Sequence, residues 1–236
     1  TTRWLAEQVA LFRSGAVGSV TSGSSAFVPG DQSPWSLFGI VQGGLHPDLR
    51  LQSLREIVEL GVDAIAVGGL AVGESQGEMF AMLEILQPAL PADKPHYLMG
   101  VGFPDDILGA VARGIDMFDC VIPTRVARNT TALTSLGRIN LRSAQWKNDT
   151  GPLDPNCHCE TCRETSRALL CHLVKLKHLS ASTLLTHHNL YYYRQMVVEA
   201  RQAILENRYV EFMGSWLGGG WITREAEDVP AVGELE

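Results

Sequence analysis

Three cysteines fall within six positions, Cys157-x-Cys159-x-x-Cys162, and His187 and His188 follow a helix later. Thiolate and imidazole are the donors that zinc selects, and four of them complete a tetrahedral shell. The cluster therefore predicts one bound zinc ion, with the fourth ligand at position 187 or 188. Three sulfurs and one nitrogen leave no open position for water, so the expected metal is structural and not catalytic. The plainer reading is three free thiols in a loop. A total of five cysteines, an odd number with three crowded together, fits metal ligation in a reducing compartment better than disulfide stapling. Cys171 and His172, on the intervening helix, are expected to pack in the core.

A second group of residues could act on a small molecule. Asp119 ends the apolar run Met117-Phe118, and an isolated acid there most simply caps a loop or pairs with Arg125. Its surroundings widen that reading. Gln42, the Gly68-Gly69 backbone and Met99 would converge with it on one mouth, offering amide donors and acceptors, bare peptide groups and a flat apolar surface, which together suit a planar heterocycle. Each also has a plainer role: Gln42 as a loop hydrogen bonder, the glycines as turn formers, Met99 as core filler.

The elements that must position these residues alternate strand and helix. Leu37 to Val41 leads into Gln42-Gly43-Gly44 and a helix opened by Pro47, with Leu49, Leu54, Ile57 and Val58 on one face and Gly61 as its C-terminal cap. Ala64 to Val67 leads through Gly68-Gly69-Leu70 to a helix bearing Met79, Phe80, Leu83 and Leu86, stopped by Pro88. His96 to Met99 is followed by Gly100-Val101-Gly102 and a helix opened by Pro104, and a fourth strand begins at Ile115. Four such units imply a parallel sheet with helical crossovers. A doubly wound sheet and half of a (β/α)8 barrel both satisfy them; the barrel gains weight because the polar or glycine-rich residues follow each strand, on the rim where barrels assemble active sites. Four strands cannot close a ring, so a barrel would draw its other half from sequence outside this chain.

The expected organisation is an N-terminal helix remnant and Gly/Ser-rich loop over 1–36, four βα units over 37–125, a hairpin and zinc-binding subdomain over 126–187, and a C-terminal helix and tail over 188–236. The hairpin is read from Thr131–Leu133 and Ile139–Leu141 around Gly137. Helices are expected over about 163–178 and 188–207.

The net charge of -7 argues against indiscriminate polyanion binding. From Cys120 to Asn148 the sign reverses, with no acidic residue and with Arg125, Arg128, Arg138, Arg142 and Lys147. On charge alone this is first a solvated basic face. Neither a long apolar span nor a secretory leader is seen, so a cytoplasmic protein without a membrane partner is expected.

FGIVQGG (Phe38 to Gly44), VGGLAVGE (Val67 to Glu74), YLMGVG (Tyr97 to Gly102), GIDMFDCVIPTRVARN (Gly114 to Asn129) and the CxCxxC with its later histidine resemble the tRNA-guanine transglycosylase family, in order and over nearly the whole chain from about residue 35 to about 212. The resemblance implies the C-terminal half of a TIM-type barrel with an inserted zinc subdomain. It implies an enzyme that exchanges guanine at the tRNA anticodon wobble position for a 7-deazaguanine, preQ1 or queuine. Asp119 would be the nucleophile that attacks ribose C1′ and holds a covalent RNA intermediate, a parallel to retaining glycosidases. Gln42, Gly68, Gly69 and Leu70 would line the purine, with Gly69 and Leu70 binding it through the backbone and Met99 stacking on it. Arg125 and Arg128 would face RNA phosphates. The family's metal histidine directly precedes Asn-Leu, which makes it His188. Family members are typically dimeric, so a homodimer or heterodimer is expected. The family's further pocket aspartates fall before Thr1 in sequence. One departure is local: where the family's PTR-x-x-R-x-G run has its glycine, this chain has Thr130. The alternative within the same superfamily is a noncatalytic tRNA-binding accessory subunit, or an inactive fragment.

Overall fold

The computed structural model describes residues 2–14 and 36–218; the Gly/Ser-rich segment and the acidic tail lie outside them. It divides into two compact units, Thr1–Val101 with Gly109–Asp119, and Gly102–Leu108 with Cys120–Glu236.

In the first unit, four parallel strands lie in the order β1 (Phe38–Val41), β2 (Ala64–Val67), β3 (His96–Leu98) and β4 (Met117–Phe118). Every residue of β2 is buried, as a short AIAV run with no polar face demands. The crossovers in this unit are α2 (Pro47–Glu59) and α3 (Gln76–Leu86); α4 (Pro104–Val111) follows β3 in sequence and is divided between the two units. Pro47 opens α2, where its missing N–H is no loss, and Ser75 caps α3 in a reciprocal capping box with Glu78. The core interleaves Val41, Ile65, Val67 and Leu98 from the strands with Leu54, Ile57, Leu83 and Leu86 from the helices. Helix α1 (Thr2–Arg13), which carries Arg3 and Trp4, sends Val9 into this core and ties to α2 through Thr2 Oγ1 and Glu56 Oε2 at 2.7 Å.

One face expected from the sequence is rotated. Leu49 is exposed, and the buried stripe of α2 runs Arg50, Leu54, Ile57. The third strand ends at Leu98, where a turn begins, and the fourth is only two residues long.

In the second unit, α5 (Ile122–Arg128) precedes an antiparallel hairpin of β5 (Thr131–Thr134) and β6 (Gly137–Asn140). Then come α6 (Glu160–Glu164), α7 (Arg167–Lys175), α8 (Leu179–Leu205) and α9 (Tyr209–Gly218). The last long helix therefore begins well before His188, and the segment expected as one helix over 163–178 is two. Burial along α8 recurs at Ala181, Leu185, His188, Tyr192, Met196, Ala200 and Ala203, the three- and four-residue steps of one helix face. Among the described residues no helix is long and apolar enough to cross a membrane.

Candidate active site and metal centre

The register of the parallel sheet aligns the strand ends. Val41 pairs with Val67, Val67 with Leu98, and Leu98 with Phe118. The next residue on each strand is Gln42, Gly68, Met99 and Asp119, so the four sequence candidates stand in a row along the carboxyl edge of one sheet. Strand spacing of about 4.8 Å separates neighbouring backbones in that row.

Asp119 is exposed, and its Oδ1 accepts two hydrogen bonds, from the Tyr97 hydroxyl at 2.6 Å and from the Gly100 N–H at 2.8 Å. The Tyr97 bond first, then the Gly100 bond, hold the carboxyl below its ordinary pKa and outweigh the opposing effect of burial. Tyr97 moves the opposite way, raised chiefly by donating to Asp119. Both donors bind Oδ1, so that carboxylate oxygen is anchored, and the Asp119 main chain adds a smaller bond to the same carboxylate. Gly100 reaches its position with φ +75°, a left-handed conformation that a side chain would strain.

Gln42 is half-buried; its N–H donates to Ser53 Oγ at 3.2 Å, and its side chain lies beside the Gly68-Gly69 turn. A β-carbon on Gly68 would come within 2.7 Å of Gln42 Nε2. Gly69 is exposed at φ +64°, again a conformation that favours glycine. The side chain of Leu70 is in the core, so only its main chain can serve a ligand. Met99 is half-buried and its N–H closes on Val67 O at 3.1 Å.

Two residues essential to this geometry were not singled out from the sequence. Tyr97 is one. The other is Arg50, fully buried, whose guanidinium binds backbone carbonyls of the turns after β1 and β2. A charged residue in phase with Leu54 and Ile57 on an apolar helix stripe is the signal that would have found it.

In the second unit, Cys157, Cys159, Cys162 and His188 bring their ligand atoms within 4.8 Å of one another. His188 Nδ1 lies 3.7, 3.4 and 3.3 Å from the three sulfurs. A tetrahedral zinc with ordinary Zn–S and Zn–N bonds requires S···N separations of about 3.6 Å, so the set fits one zinc ion. His188 Nε2 donates to Leu133 O at 2.8 Å, which fixes the tautomer and leaves the Nδ1 lone pair for the metal. Burial alone would lower the His188 pKa, but bonds to Cys157, Cys159 and the Leu133 carbonyl carry it up to about 9. His187 is exposed, off the buried stripe of α8, and contacts Thr161 Oγ1 at 3.4 Å. Cys171 is buried as expected, whereas His172 is exposed and not in the core.

Next to His188, Asn189 is fully buried and bridges three segments: its Oδ1 accepts from Leu133 N–H at 2.9 Å, and its Nδ2 donates to Pro123 O at 2.9 Å and Thr131 O at 3.2 Å. Metal ligand and hairpin anchor are thus adjacent on one helix. Arg125 and Arg128 occupy the last turn of α5, half-buried and exposed respectively.

A parallel α/β unit with an anchored carboxylate beyond its fourth strand, accompanied by a Cys3His zinc centre, defines a zinc-containing α/β protein with a strand-end site. The chain belongs to the queuine tRNA-ribosyltransferase family, whose description its residues 1–219 match. It is 52% identical over 177 residues to the Queuine tRNA-ribosyltransferase of Zymomonas mobilis, covering 75% of this chain and 46% of that protein. The protein of the same name from Chromobacterium violaceum is 50% identical over 181 residues, 77% of this chain and 49% of the relative. That of Thioalkalivibrio sulfidiphilus is 48% identical over 200 residues, 85% and 53%. The chain spans about half the length of the curated relatives it matches.

Proposed function

We propose that this chain is the C-terminal half of a (β/α)8 barrel with an inserted zinc subdomain, and that the protein containing it exchanges guanine in the tRNA anticodon for a 7-deazaguanine. The observation that carries this reading is the state of Asp119: exposed, with a lowered pKa that favours the carboxylate, and anchored through Oδ1 by Tyr97 and Gly100. A glycosyl-transfer nucleophile needs that arrangement.

Oδ2 of Asp119 attacks ribose C1′ as the C1′–N9 bond breaks, and guanine departs with the bonding electrons and takes up a proton. The incoming base then attacks C1′ through its own ring nitrogen, loses its proton and expels the carboxylate. Two inversions give net retention, as in retaining glycosidases. The bonds from Tyr97 and Gly100 lower the basicity of Asp119, which makes it a better leaving group in the second step.

Gln42, Gly68, Gly69 and Leu70 supply polar contacts to the base and Met99 an apolar face. A loop base is unpaired, so its extrusion costs less than from a duplex. Arg125 and Arg128, in an acid-free stretch shortly after Asp119 in sequence, are suited to backbone phosphates. The zinc centre is structural, its four positions filled by protein. A cytoplasmic location and a dimer fit the same reading.

Incubating the full-length protein with tRNA and radiolabelled guanine tests it. Wild-type protein should incorporate label, and Asp119→Ala should lose incorporation by on the order of 1000-fold or more. Equal incorporation removes Asp119 as nucleophile.

A further inference from the structure

A buried arginine is expensive unless something takes its protons. Arg50 has no carboxylate within ion-pair distance among the described residues; all three of its nitrogens bond main-chain carbonyls instead. Nε donates to Gly44 O at 2.6 Å, Nη1 to Gly68 O at 2.9 Å with Val41 O at 3.5 Å, and Nη2 to Gly69 O at 2.9 Å. Glu74 adds a favourable charge from further away. One side chain thus pins the turn after β1 to the turn after β2.

The direction of those bonds has a consequence on the opposite side. In a trans peptide the C=O and N–H of one unit point opposite ways, and no peptide bond here is cis. The Gly68 carbonyl and the Gly69 N–H belong to one peptide unit. With the carbonyl drawn onto Arg50, the Gly69 N–H is turned away from it, on an exposed residue, and has no partner among the described residues. The guanidinium charge also polarises that amide, which strengthens it as a donor. The Gln42 side chain flanks the same turn.

We propose that Arg50 is a positioning residue for base selection: from beneath the strand-end site it aims and polarises the Gly69 N–H toward an acceptor oxygen on the purine. This rests on the base-exchange reading above. It assigns the choice between purines that do and do not carry an exocyclic carbonyl oxygen to a side chain that never touches the base.

The test is calorimetric binding of guanine and of 2-aminopurine, which lacks the exocyclic oxygen, to full-length wild type, Arg50→Met and Arg50→Lys. Wild type should prefer guanine. In Arg50→Met that preference should shrink roughly tenfold, the worth of one hydrogen bond to a polarised donor, while 2-aminopurine binding changes little. Arg50→Lys keeps the charge but cannot span both turns, so it should shift the preference the same way; it is the variant read if Arg50→Met does not fold. Equal weakening of both bases, an unchanged preference, or failure of both variants to fold makes Arg50 a structural residue and overturns the proposal. Wild type that binds neither base overturns the base-exchange reading itself.

Discussion

Tyr97 Oη and Asp119 Oδ1 meet at 2.6 Å although the two residues are 22 apart in sequence. Parallel pairing of β3 with β4 creates that meeting, since Tyr97 is in register with Met117, two residues before the carboxylate.

Because the Tyr97 bond is the leading cause of the depressed Asp119 pKa, the ionised form that the proposed attack requires persists into acid. Activity is lost only as pH falls through that depressed value. In Tyr97→Phe the value rises toward the ordinary aspartate pKa of about 3.9, so the acid limb of the rate profile moves to higher pH. A profile of exchange rate against pH for the two proteins checks this; identical acid limbs would contradict it.

The sequence disclosed the strands of the first unit because their signals are local: an unbroken AIAV run, Pro47 at a helix start, glycines after each strand. The zinc cysteines were legible for the same reason. The residues alone left the fourth ligand open between two histidines, the family resemblance pointed to His188, and the phase of the α8 stripe agrees, placing position 188 inward with Leu185 and Tyr192. That stripe went unread because Ser180, Ser182 and Thr183 resemble a polar loop when the helix boundary is set too late. Tyr97 and Arg50 were hidden for a different reason. Their partners are distant backbone and side chains; for Arg50 the helix phase shared with Leu54 and Ile57 marks a buried position but not what it binds.

Zinc binding divides the two histidines. His188→Ala should weaken zinc affinity by more than the ~10–100-fold caused by losing an outer hydrogen-bond partner, and it should lower the melting temperature, since Cys159 and Cys162 pack in the same core as Leu170 and Leu185. His187→Ala should keep its metal. Elemental analysis with thermal melts checks both, and zinc loss confined to the 187 variant would reverse the assignment.

Thr130 carries φ 66°, a conformation that β-branched residues adopt at a cost. Thr130→Gly should relieve that strain, partly offset by the entropy glycine loses on folding, for a net gain of up to about 1 kcal/mol. Chemical denaturation should show a higher midpoint at unchanged slope. A lower midpoint would show that the Thr130 hydroxyl, which donates to Asn129 O at 2.6 Å, outweighs the backbone strain.

The proposed exchange stands on a covalent bond between Asp119 and RNA. Full-length protein mixed with tRNA and resolved on a denaturing gel should show a slower RNA-protein band, and Asp119→Asn, which preserves size but not the anionic oxygen, should show none. A band of equal strength from the Asn variant, or no band from active wild type, would contradict the account.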